Sequence, residues 1–494
     1  MSASSAGSVL LVVHALPPEE ATGTPLAAHG YAAALSAAGW SVTVLATGAD
    51  APGWDMLRMS QREGERFFRV RARADTGAGT TWLEAAASPA APTPSPWGGR
   101  SERDAAGGVR KLLGRVRPQL VHVVDNVHLP LSIPEVARDA GIPAVRTVSC
   151  AEDLCALIAP VSPYAGPSGF CQAPLTIDRC ARCLSETSDA AVVRFWRTGD
   201  RQVDDRRRAE ARHLLAAKRA RAVHQLHTVY DRILFASERF RAYFEQTLPL
   251  DPWRTRVVPM GVDLPPARYG ARAGGAPARY GSTAGARAPL TFLLAATGHP
   301  AKGIDAVVDA FSHTELAGRD DWRLLLAGGG DRSLGARLRG DPRVRDHGPY
   351  APEEMPALLG EAHVGLSASY FETFHRVTRE YLAGGLPVLG STAFGITDVV
   401  VHGVNGWLFD HGDEGSLRRA LVRLLDDRAL VGRLRAAAAA TSIRSVAEEV
   451  DDLQAIYREV LDRPRGIGAA GGGSPRGGGD AGGVVGGGPG RDCR

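Results

Sequence analysis

Residues 370–387 read YFETFHRVTREYLAGGLP, and this stretch decides how the rest of the chain is interpreted. It contains Glu372 and Glu380, with seven residues between them, around the start of a predicted helix that ends in a Gly-Gly turn and an apolar strand. A carboxylate at a helix N-terminus is stabilised by free amide N–H groups and by the helix dipole. A second carboxylate about two turns further along can face the same cleft. The two acceptors suit a ligand with hydroxyl groups at both ends, as a nucleotide sugar has.

The segment resembles the signature of retaining, nucleotide-sugar-dependent glycosyltransferases of the GT4 family. In that family the pattern is Glu, seven residues, Glu, then small residues and a Gly-x-Pro-Val strand, and this chain has GLPV at 385–388. The alternative is an amphipathic helix that carries two glutamates by chance. The order of strand, loop, helix, turn and strand favours the resemblance, which implies an α/β fold of the GT-B type: two Rossmann-like parallel-sheet domains facing across a cleft.

The composition is that of a globular protein with two large domains. At 494 residues the chain is too long for one core, and its 44% hydrophobic and 23% charged residues are ordinary. A net charge of +4 argues against a dedicated nucleic-acid binder, so no nucleic-acid partner is expected. The N-terminus lacks a basic n-region, and no run of 18 apolar residues occurs. We therefore expect a cytoplasmic protein, with peripheral association at the inner face of the membrane left open because acceptors in the family are sometimes lipids.

Shifts in composition divide the chain into four segments. The stretch at 265–288 is low in complexity and almost free of large aliphatic residues, which is typical of a linker. The chain after 466 is Gly-rich and is predicted to be disordered. The predicted segments are an N-terminal Rossmann-like acceptor domain at 1–264 with a Cys-containing insert at about 150–190, the linker at 265–288, a C-terminal Rossmann-like nucleotide-sugar domain at 289–465, and the tail at 466–494.

Short apolar strands alternate with helical stretches in both halves, as parallel sheets require. Residues 74–108 are rich in Ala, Pro, Gly and Ser and predict a long surface loop. Because open parallel sheets bind ligands at the carboxyl edge, the functional residues are expected in loops that follow strands. Helices are predicted at 26–38 and 205–226, and strands at 9–13, 42–45, 120–124, 144–148, 233–236, 290–295, 322–327, 364–366 and 388–390.

Two loops of the N-terminal half carry candidate site residues. In the first, Gly23 lies between a strand and a helix, where a glycine lets the backbone approach an anion. The resemblance places this loop against the diphosphate and the acceptor, and an ordinary strand-to-helix turn is the alternative. In the second, His122 matches a family histidine, for which a satisfied strand histidine is the favoured interpretation. A second family histidine is replaced by Val124, so Asp125 and His128 are the nearest candidates for catalytic groups.

The loop TGHPAKG at 297–303 follows a strand and precedes a helix. It resembles the family's Gly-Arg-x-x-x-x-Lys-Gly loop, in which Lys302 and Gly303 match and the arginine is missing. A lysine at this place neutralises charge as the diphosphate leaves, so Lys302 is implied to be catalytic as well as donor-binding, with a solvated lysine as the alternative. His299 is the nearest substitute for the arginine, unless it is a water-exposed loop histidine. Gly329, after a later strand, is implied to shape the nucleotide pocket.

The resemblance assigns roles to the two glutamates and their neighbours. Glu372 would serve catalysis by binding hydroxyls of the donor sugar, and Glu380 would bind the ribose hydroxyls. The family has Gly-Phe-Gly after the first glutamate, whereas this chain has Thr-Phe-His, so Phe374 and His375 enter the implied donor site. His375 replaces a glycine whose backbone lies close to the donor. Three explanations stay open: a donor of different shape or size, a new role for the imidazole, or a loss of activity.

Four cysteines of the insert are candidate metal ligands, namely Cys155, Cys171, Cys180 and Cys183, with Cys150 nearby. Cys180 and Cys183 have the two-residue spacing of a metal knuckle, and a cytosolic setting disfavours structural disulfides. A structural zinc ion held by the four thiolates is one interpretation. Unpaired thiols and a redox pair are the others.

Together these features predict retaining transfer of a sugar from a nucleotide-diphosphate sugar to an acceptor hydroxyl, with no cofactor required for catalysis. The acceptor class stays open between a glycan, a lipid and a small molecule, because acceptor contacts lie in variable loops. The departures at Val124, Thr297 and His375 support an alternative, which is a catalytically impaired glycosyltransferase-like binding subunit.

Overall fold

The computed structural model describes residues 6–15, 23–47, 58–62, 65–70, 100–125, 131–155, 160–161, 169–186, 205–264, 288–329, 338 and 340–463. His128, nearly all of the predicted linker and the whole Gly-rich tail lie outside these ranges. Met1–Leu461 form one compact unit, and Asp462–Arg494 form a second, of which two residues are described. The predicted domains up to Leu461, and every candidate site residue, belong to the first unit.

The N-terminal half is built on an eight-stranded sheet. Its strands are β1 Gly7–Val12, β2 Trp40–Thr47, β3 Arg58–Arg62, β4 Glu65–Val70, β5 Leu120–Val123, β6 Ala144–Val148, β7 Arg232–Phe235 and β8 Thr255–Val257. They lie in the order β3-β4-β2-β1-β5-β6-β7-β8, and all neighbours are parallel except β3 and β4. The central strands β1, β5 and β6 are buried along nearly their whole length, as expected for strands with packed layers on both faces.

The C-terminal half is built on a second, six-stranded sheet. Its strands are β9 Leu290–Ala295, β10 Trp322–Ala327, β11 Val344–Gly348, β12 Val364–Ser367, β13 Val388–Ser391 and β14 Gly406–Phe409. They are all parallel, in the order β11-β10-β9-β12-β13-β14. The predicted α/β fold with two parallel sheets is therefore confirmed, and each strand predicted from an apolar run is present with an end shifted by two residues at most.

Helices connect the strands in both halves. Among the described residues, no helix is long and apolar enough to cross a membrane. The helices are α1 Gly23–Ala37, α2 Arg100–Val116, α3 Ile133–Asp139, α4 Ile177–Glu186, α5 Asp205–His224, α6 Glu238–Glu245, α7 Ile304–Ser312, α8 Thr314–Ala317, α9 Met355–Glu361, α10 Arg376–Ala383, α11 Phe394–Thr397, α12 Ser416–Asp426, α13 Arg428–Ala439 and α14 Val446–Leu461.

The last helix, α14, crosses back and packs against the N-terminal half. Its buried residues share a core cluster with β1, β2 and α1. His122 on β5 bonds Tyr457 on α14 through Nδ1 at 2.6 Å and Thr147 on β6 through Nε2 at 2.8 Å. His122 is thus a satisfied strand histidine, and burial next to Arg146 lowers its pKa to about 3. The predicted C-terminal domain at 289–465 therefore includes a helix that packs on the N-terminal half.

The prediction of a surface loop over 74–108 is wrong for its last nine residues. They belong to α2, which continues to Val116 and buries Val109, Leu112 and Leu113 in the core of the N-terminal half. These apolar residues have helical spacing, but they lie in the second half of α2, after the end of the Ala- and Gly-rich stretch. The composition therefore hid the start of the helix.

Candidate functional site

The loop that follows β9 lies against the ends of two neighbouring strands. Gly298 donates its backbone N–H to the oxygen of Gly329 at 3.0 Å, and Ala301 accepts from the N–H of Tyr370 at 2.8 Å. Gly303 has a φ of 68°, and a Cβ there would lie 2.0 Å from the oxygen of Ala368. A glycine is required at this approach. The loop is thereby fixed beside the segment that carries Glu372.

Lys302 and Glu372 form an ion pair where the loop after β9 meets the loop after β12. Lys302 Nζ donates to Glu372 Oε1 at 2.7 Å, and the side chains are 31% and 11% exposed. Burial raises the pKa of Glu372, but the Lys302 ammonium, His375 and hydrogen bonds from Lys302 and Ser369 outweigh it and leave the pKa below its ordinary value. The carboxylate is therefore ionised at neutral pH and keeps lone pairs that can accept from a ligand.

His375 begins α10 in a backbone conformation that is rare for a side chain other than glycine. Its φ is 57° and its ψ is 77°. The ring's Nδ1 accepts from the backbone N–H of Thr378 at 3.3 Å and also contacts the Thr378 hydroxyl. Burial, which outweighs the attraction of Glu372, lowers the pKa of His375 to about 4. The imidazole is therefore neutral at pH 7 and carries its proton on Nε2, which lies 3.6 Å from Glu372 Oε1.

The turn between Glu372 and α10 is held rigidly from behind. Arg379, which is buried, donates to the backbone oxygens of Phe374 and Gly395, the second at 2.9 Å. Its guanidinium also lies 3.8 Å from the centre of the Phe374 ring. Gly395 donates to the oxygen of Glu372 at 3.1 Å, and a Cβ on Gly395 would lie 2.4 Å from the backbone of Phe374. This bracing fixes where the Glu372 carboxylate and the His375 ring can be.

Glu380 lies further along α10 and is also nearly buried, at 7% exposure. Arg376, one turn earlier, donates to Glu380 Oε1 at 2.7 Å. Burial and then the charge of Glu380 raise the pKa of Tyr350, which lies in the loop after β11. The two glutamates of the motif therefore each have a cationic partner, and they face different strand ends.

The segment around Glu372 also touches the N-terminal half. Thr373 donates from its hydroxyl to the oxygen of Ser149, just after β6, at 2.7 Å. Phe371 packs in the N-terminal core cluster, stacked on Phe170 with ring centres 5.8 Å apart. Glu372 is thus flanked by two residues that contact the other sheet's carboxyl edge. That edge is where open parallel sheets bind ligands.

At the carboxyl edge of the N-terminal sheet, the structure reveals a pair that the sequence had not singled out. His14 follows β1, and Asp125 follows the neighbouring strand β5. His14 Nδ1 bonds Asp125 Oδ2 at 2.7 Å, and the His14 backbone N–H donates to Asp125 Oδ1 at 3.1 Å. Asp125 is 1% exposed and the His14 side chain 18%. Asp125, predicted to be catalytic, therefore holds His14 at the sheet edge, and a histidine directly after the first strand was the available signal.

The remaining predicted residues differ in how closely they approach this centre. His299 is exposed, and its Nδ1 accepts from the N–H of Ala301 at 3.1 Å. Gly23 opens α1, and a Cβ there would meet nothing within 4 Å, so no close approach requires glycine. Gly329 lies beside the Lys302 loop through its bond to Gly298. His128 is outside the described ranges.

Three of the predicted zinc ligands, Cys155, Cys171 and Cys180, are partly buried against the core of the N-terminal half. Burial and then the nearby Cys183 raise the pKa of Cys171 to about 12. Tyr243 donates to the Cys171 backbone oxygen at 2.8 Å, and Arg219 donates to Cys180 Sγ at 3.5 Å. Across the described part of the chain, no three His, Cys, Asp or Glu side chains are grouped so as to hold a metal ion. Zinc binding by Cys155, Cys171, Cys180 and Cys183 stays a prediction.

Two sheets that meet at their carboxyl edges, with charged loops from both, define a two-domain Rossmann-like protein of the GT-B type. A family model described as "Glycosyl transferase 4-like domain" matches residues 22–261, and one described as "Glycosyl transferases group 1" matches residues 289–427. The chain belongs to the group 1 glycosyltransferases of the GT4 family, as the sequence resemblance predicted.

Curated relatives match parts of the chain. The D-inositol 3-phosphate glycosyltransferase of Acidothermus cellulolyticus is 32% identical over 228 residues, which are 44% of this chain and 50% of that protein. The N-acetyl-alpha-D-glucosaminyl L-malate synthase of Bacillus anthracis is 29% identical over 167 residues, 32% of this chain and 43% of that protein. The chain thus spans half or less of the length of these relatives.

Solved structures match almost the whole chain. Sucrose-phosphate synthase from Thermosynechococcus elongatus has a TM-score of 0.59 at 19% identity, covering 92% of this chain and 99% of that chain. Anabaena HepE, solved in complex with UDP and glucose, has a TM-score of 0.56 at 15% identity, covering 92% and 100%. At these identities the likeness concerns the fold, and it confirms the predicted architecture.

Proposed function

We propose that this chain transfers a sugar from a nucleotide-diphosphate sugar to an acceptor hydroxyl, with retention of configuration and without a catalytic metal. The observation that carries the proposal is the Lys302–Glu372 pair at 2.7 Å, flanked by residues that contact the N-terminal half. It sets a cation and an ionised acceptor side by side where the sheets meet. A diphosphate and a sugar hydroxyl require those two groups.

The reaction would proceed on one face of the sugar. The bond from the anomeric carbon to the diphosphate oxygen breaks as the bond to the acceptor oxygen forms, and the departing phosphate oxygen takes the acceptor's proton. No protein nucleophile is needed, so the protein contributes positioning and charge stabilisation. Lys302 stabilises the negative charge on the leaving diphosphate, which is why a metal is not required. Glu372 accepts from the sugar hydroxyls, and Glu380 accepts from the ribose hydroxyls.

The carboxyl edge of the N-terminal sheet would receive the acceptor. Asp125 acts there through His14, whose orientation it fixes by two contacts, and is on this basis a positioning residue. His128 remains a candidate for the same region, and Gly23 remains one for the loop beside the diphosphate. A buried carboxylate that holds a partly exposed imidazole keeps one hydrogen-bonding arrangement, as ordered binding of an acceptor requires.

Names of related proteins indicate which ligands to test first. Solved GT-B neighbours have been obtained with UDP, UDP-glucose and ADP, and the curated relatives are named for D-inositol 3-phosphate and L-malate. We propose a nucleotide-diphosphate sugar as donor and favour a small hydroxylated acid as the first acceptor class, ahead of glycans and lipids. A cytoplasmic location and attachment to the inner membrane face stay predictions.

The proposal is tested by binding first and by turnover second. UDP-, GDP-, ADP- and dTDP-sugars are screened by thermal shift, because a ligand that binds the native state raises the melting temperature. For the donor that binds, nucleotide release is measured with and without acceptors, and the anomeric configuration of the product is read by NMR. Glu372→Gln should abolish most turnover, whereas Glu414→Gln, on the exposed surface, should leave it unchanged. An inverted product, or full turnover in Glu372→Gln, contradicts the proposal.

A second candidate function is favoured by His375. The ring lies beside Glu372, in the space where a smaller residue would leave room for a donor, so the site can be read as that of a binding subunit without turnover. This candidate predicts that nucleotide sugars raise the melting temperature while no nucleotide is released with any acceptor. It also predicts that Glu372→Gln leaves the binding of nucleotide sugars unaffected.

A further inference from the structure

Three side chains present complementary hydrogen-bonding groups at one point of the donor site. Lys302 offers N–H donors on its ammonium group, of which one is used by Glu372. Glu372 offers carboxylate lone pairs. Both hydrogen bonds recorded for the His375 ring within the described ranges fall on Nδ1, so its N–H donor at Nε2 is directed at this pair. At 3.6 Å, Nε2 is too far from Glu372 for a hydrogen bond.

The placement of this imidazole is not explained by capping the helix. A residue other than glycine in the left-handed region is uncommon and costs roughly 1–2 kcal/mol, and Asn is among the residues that adopt it. Asn is also among the preferred N-cap residues. The residue is 9% exposed, so most of the ring is removed from water. A residue kept in a strained, buried position with its donor aimed at a functional pair points to a role in the site.

We propose that His375 is a specificity-determining residue that reads one hydroxyl of the donor sugar together with Lys302 and Glu372. A sugar hydroxyl has one O–H donor and two lone pairs. Glu372 can accept its proton, while Lys302 and His375 can each donate to one lone pair, so that all three of its hydrogen bonds are made. This inference rests on the proposed function, and it assigns the imidazole to the sugar and not to the diphosphate.

The protonation state of His375 supports this role across the working range of pH. The charged or titratable groups that face it are Glu372, Lys302 and Arg379. Because burial lowers the pKa of His375 to about 4, the ring stays a neutral N–H donor above pH 5. It therefore adds no positive charge beside Lys302. A neutral donor suits an uncharged hydroxyl oxygen.

The test uses a variant that keeps the capping of α10 and removes the N–H donor at the position of Nε2. His375→Asn retains a side-chain oxygen for the Thr378 N–H and tolerates a φ of 57°, but its amide is too short to replace Nε2. Affinities for UDP-glucose and UDP, or for ADP-glucose and ADP, are measured by titration calorimetry for the parent and the variant. The nucleoside diphosphate lacks the sugar and is the internal reference.

We expect His375→Asn to weaken UDP-glucose binding about three- to tenfold relative to UDP, the range of one net hydrogen bond. Monodeoxy analogues of the glucose then identify the hydroxyl. Removing that hydroxyl should weaken binding to the variant less than binding to the parent, because the variant has already lost the His375 bond and keeps those to Lys302 and Glu372; the difference is the coupling that a double-mutant cycle measures. His375→Gly, which relieves the backbone strain but also lacks the donor, should behave as His375→Asn does.

Two results overturn this inference while leaving the proposed function intact. One is an equal loss of affinity for UDP and UDP-glucose, which would place the imidazole on the diphosphate. The other is an unchanged affinity for both UDP and UDP-glucose in both variants, which would make His375 a helix cap alone. If no nucleotide sugar of any kind binds the parent protein, the proposed function itself falls, and this inference falls with it.

Discussion

Glu372 in the proposed donor site and Glu449 on α14 are both glutamates removed from water, yet the pKa values of their carboxyl groups are shifted in opposite directions. Glu372 faces the Lys302 ammonium at 2.7 Å, and its pKa lies below the ordinary value. Glu449 is 2% exposed and accepts from the Tyr31 hydroxyl and, at 2.7 Å, from the N–H of Gly261. Burial outweighs these two bonds and raises the pKa of Glu449 to about 7.

The difference shows that a full charge nearby, and not burial as such, decides whether a sequestered carboxyl remains ionised. The Glu372 charge is available to a ligand because Lys302 maintains it. Glu449 instead joins α14 and α1 to Gly261, at the end of the N-terminal half, as a hydrogen-bonded group that is half neutral near pH 7. One carboxyl therefore serves the site, and the other serves the packing of the crossing helix.

Removing the cation should turn the environment of Glu372 into one like that of Glu449. Lys302→Met should lower turnover about 100- to 1000-fold, the range for loss of one group that stabilises developing charge. Donor affinity should fall by less, because the charge on the diphosphate grows as the bond breaks. Single-turnover rates and calorimetric affinities for the same donor separate the two effects. Lys111→Ala, on the exposed side of α2, is the matched control, and equal losses in rate and affinity would contradict the assigned role.

Replacing Glu449 by its neutral analogue should remove a pH dependence of stability. A carboxyl whose folded pKa is raised binds more protons in the native state, so it loses stability as pH rises from about 4.5 through 7. The full effect of this shift is about 3 kcal/mol of unfolding free energy. His122 and His375, whose pKa values are lowered, instead reduce stability as pH falls below 6.5. The difference between the parent and Glu449→Gln therefore isolates the contribution of Glu449. Denaturation midpoints at pH 5 and pH 8 measure it, and a constant difference would refute the prediction.

Glu380 also has a cationic partner, but this partner lies on the same helix: Arg376 Nε is 2.7 Å from Glu380 Oε1. If Glu380 binds the ribose, Glu380→Gln should weaken nucleotide binding about tenfold, as expected for a hydrogen bond to a charged acceptor. The loss should disappear with a 2′,3′-dideoxy nucleotide. Arg376→Gln is the control, because it breaks the pair and leaves the carboxylate. The assignment fails if Arg376→Gln and Glu380→Gln weaken both nucleotides equally.

Much of the fold was predictable because buried parallel strands are short apolar runs separated by turn-forming residues. That signal placed β1, β9 and β10 to within two residues. It gave no guide to the partner of α14. The amphipathic pattern of this helix indicates that one face is buried, but packing on a sheet more than 300 residues earlier is a long-range property that local periodicity cannot carry.

The candidate site likewise has one part that the sequence predicted and another part that it did not. Lys302 and Glu372 were predicted from family spacing, and the structure brings them together because the loops after adjacent strands β9 and β12 share one edge. The His14–Asp125 pair was missed because the two residues lie 111 positions apart and are joined only by neighbouring strands. The tautomer of His375 depends on the Thr378 N–H, a fact of helix geometry that residue identity alone does not determine.

The smallest expected effect concerns the hydroxyl that Tyr31 donates to Glu449. Tyr31→Phe keeps the ring, which is 1% exposed, and removes one of the two donors that favour the ionised carboxyl. At pH 5, where Glu449 is mostly neutral, the loss should be about 1 kcal/mol, as for an ordinary hydrogen bond. At pH 8 it should be larger, because a charged acceptor then loses its donor. Tyr243→Phe removes a buried hydroxyl that donates to a backbone oxygen, so its cost should be the same at both pH values. If the two variants show the same pH dependence, Glu449 does not ionise in the native protein over this range, and its contrast with Glu372 is then greater than the pKa of about 7 indicates.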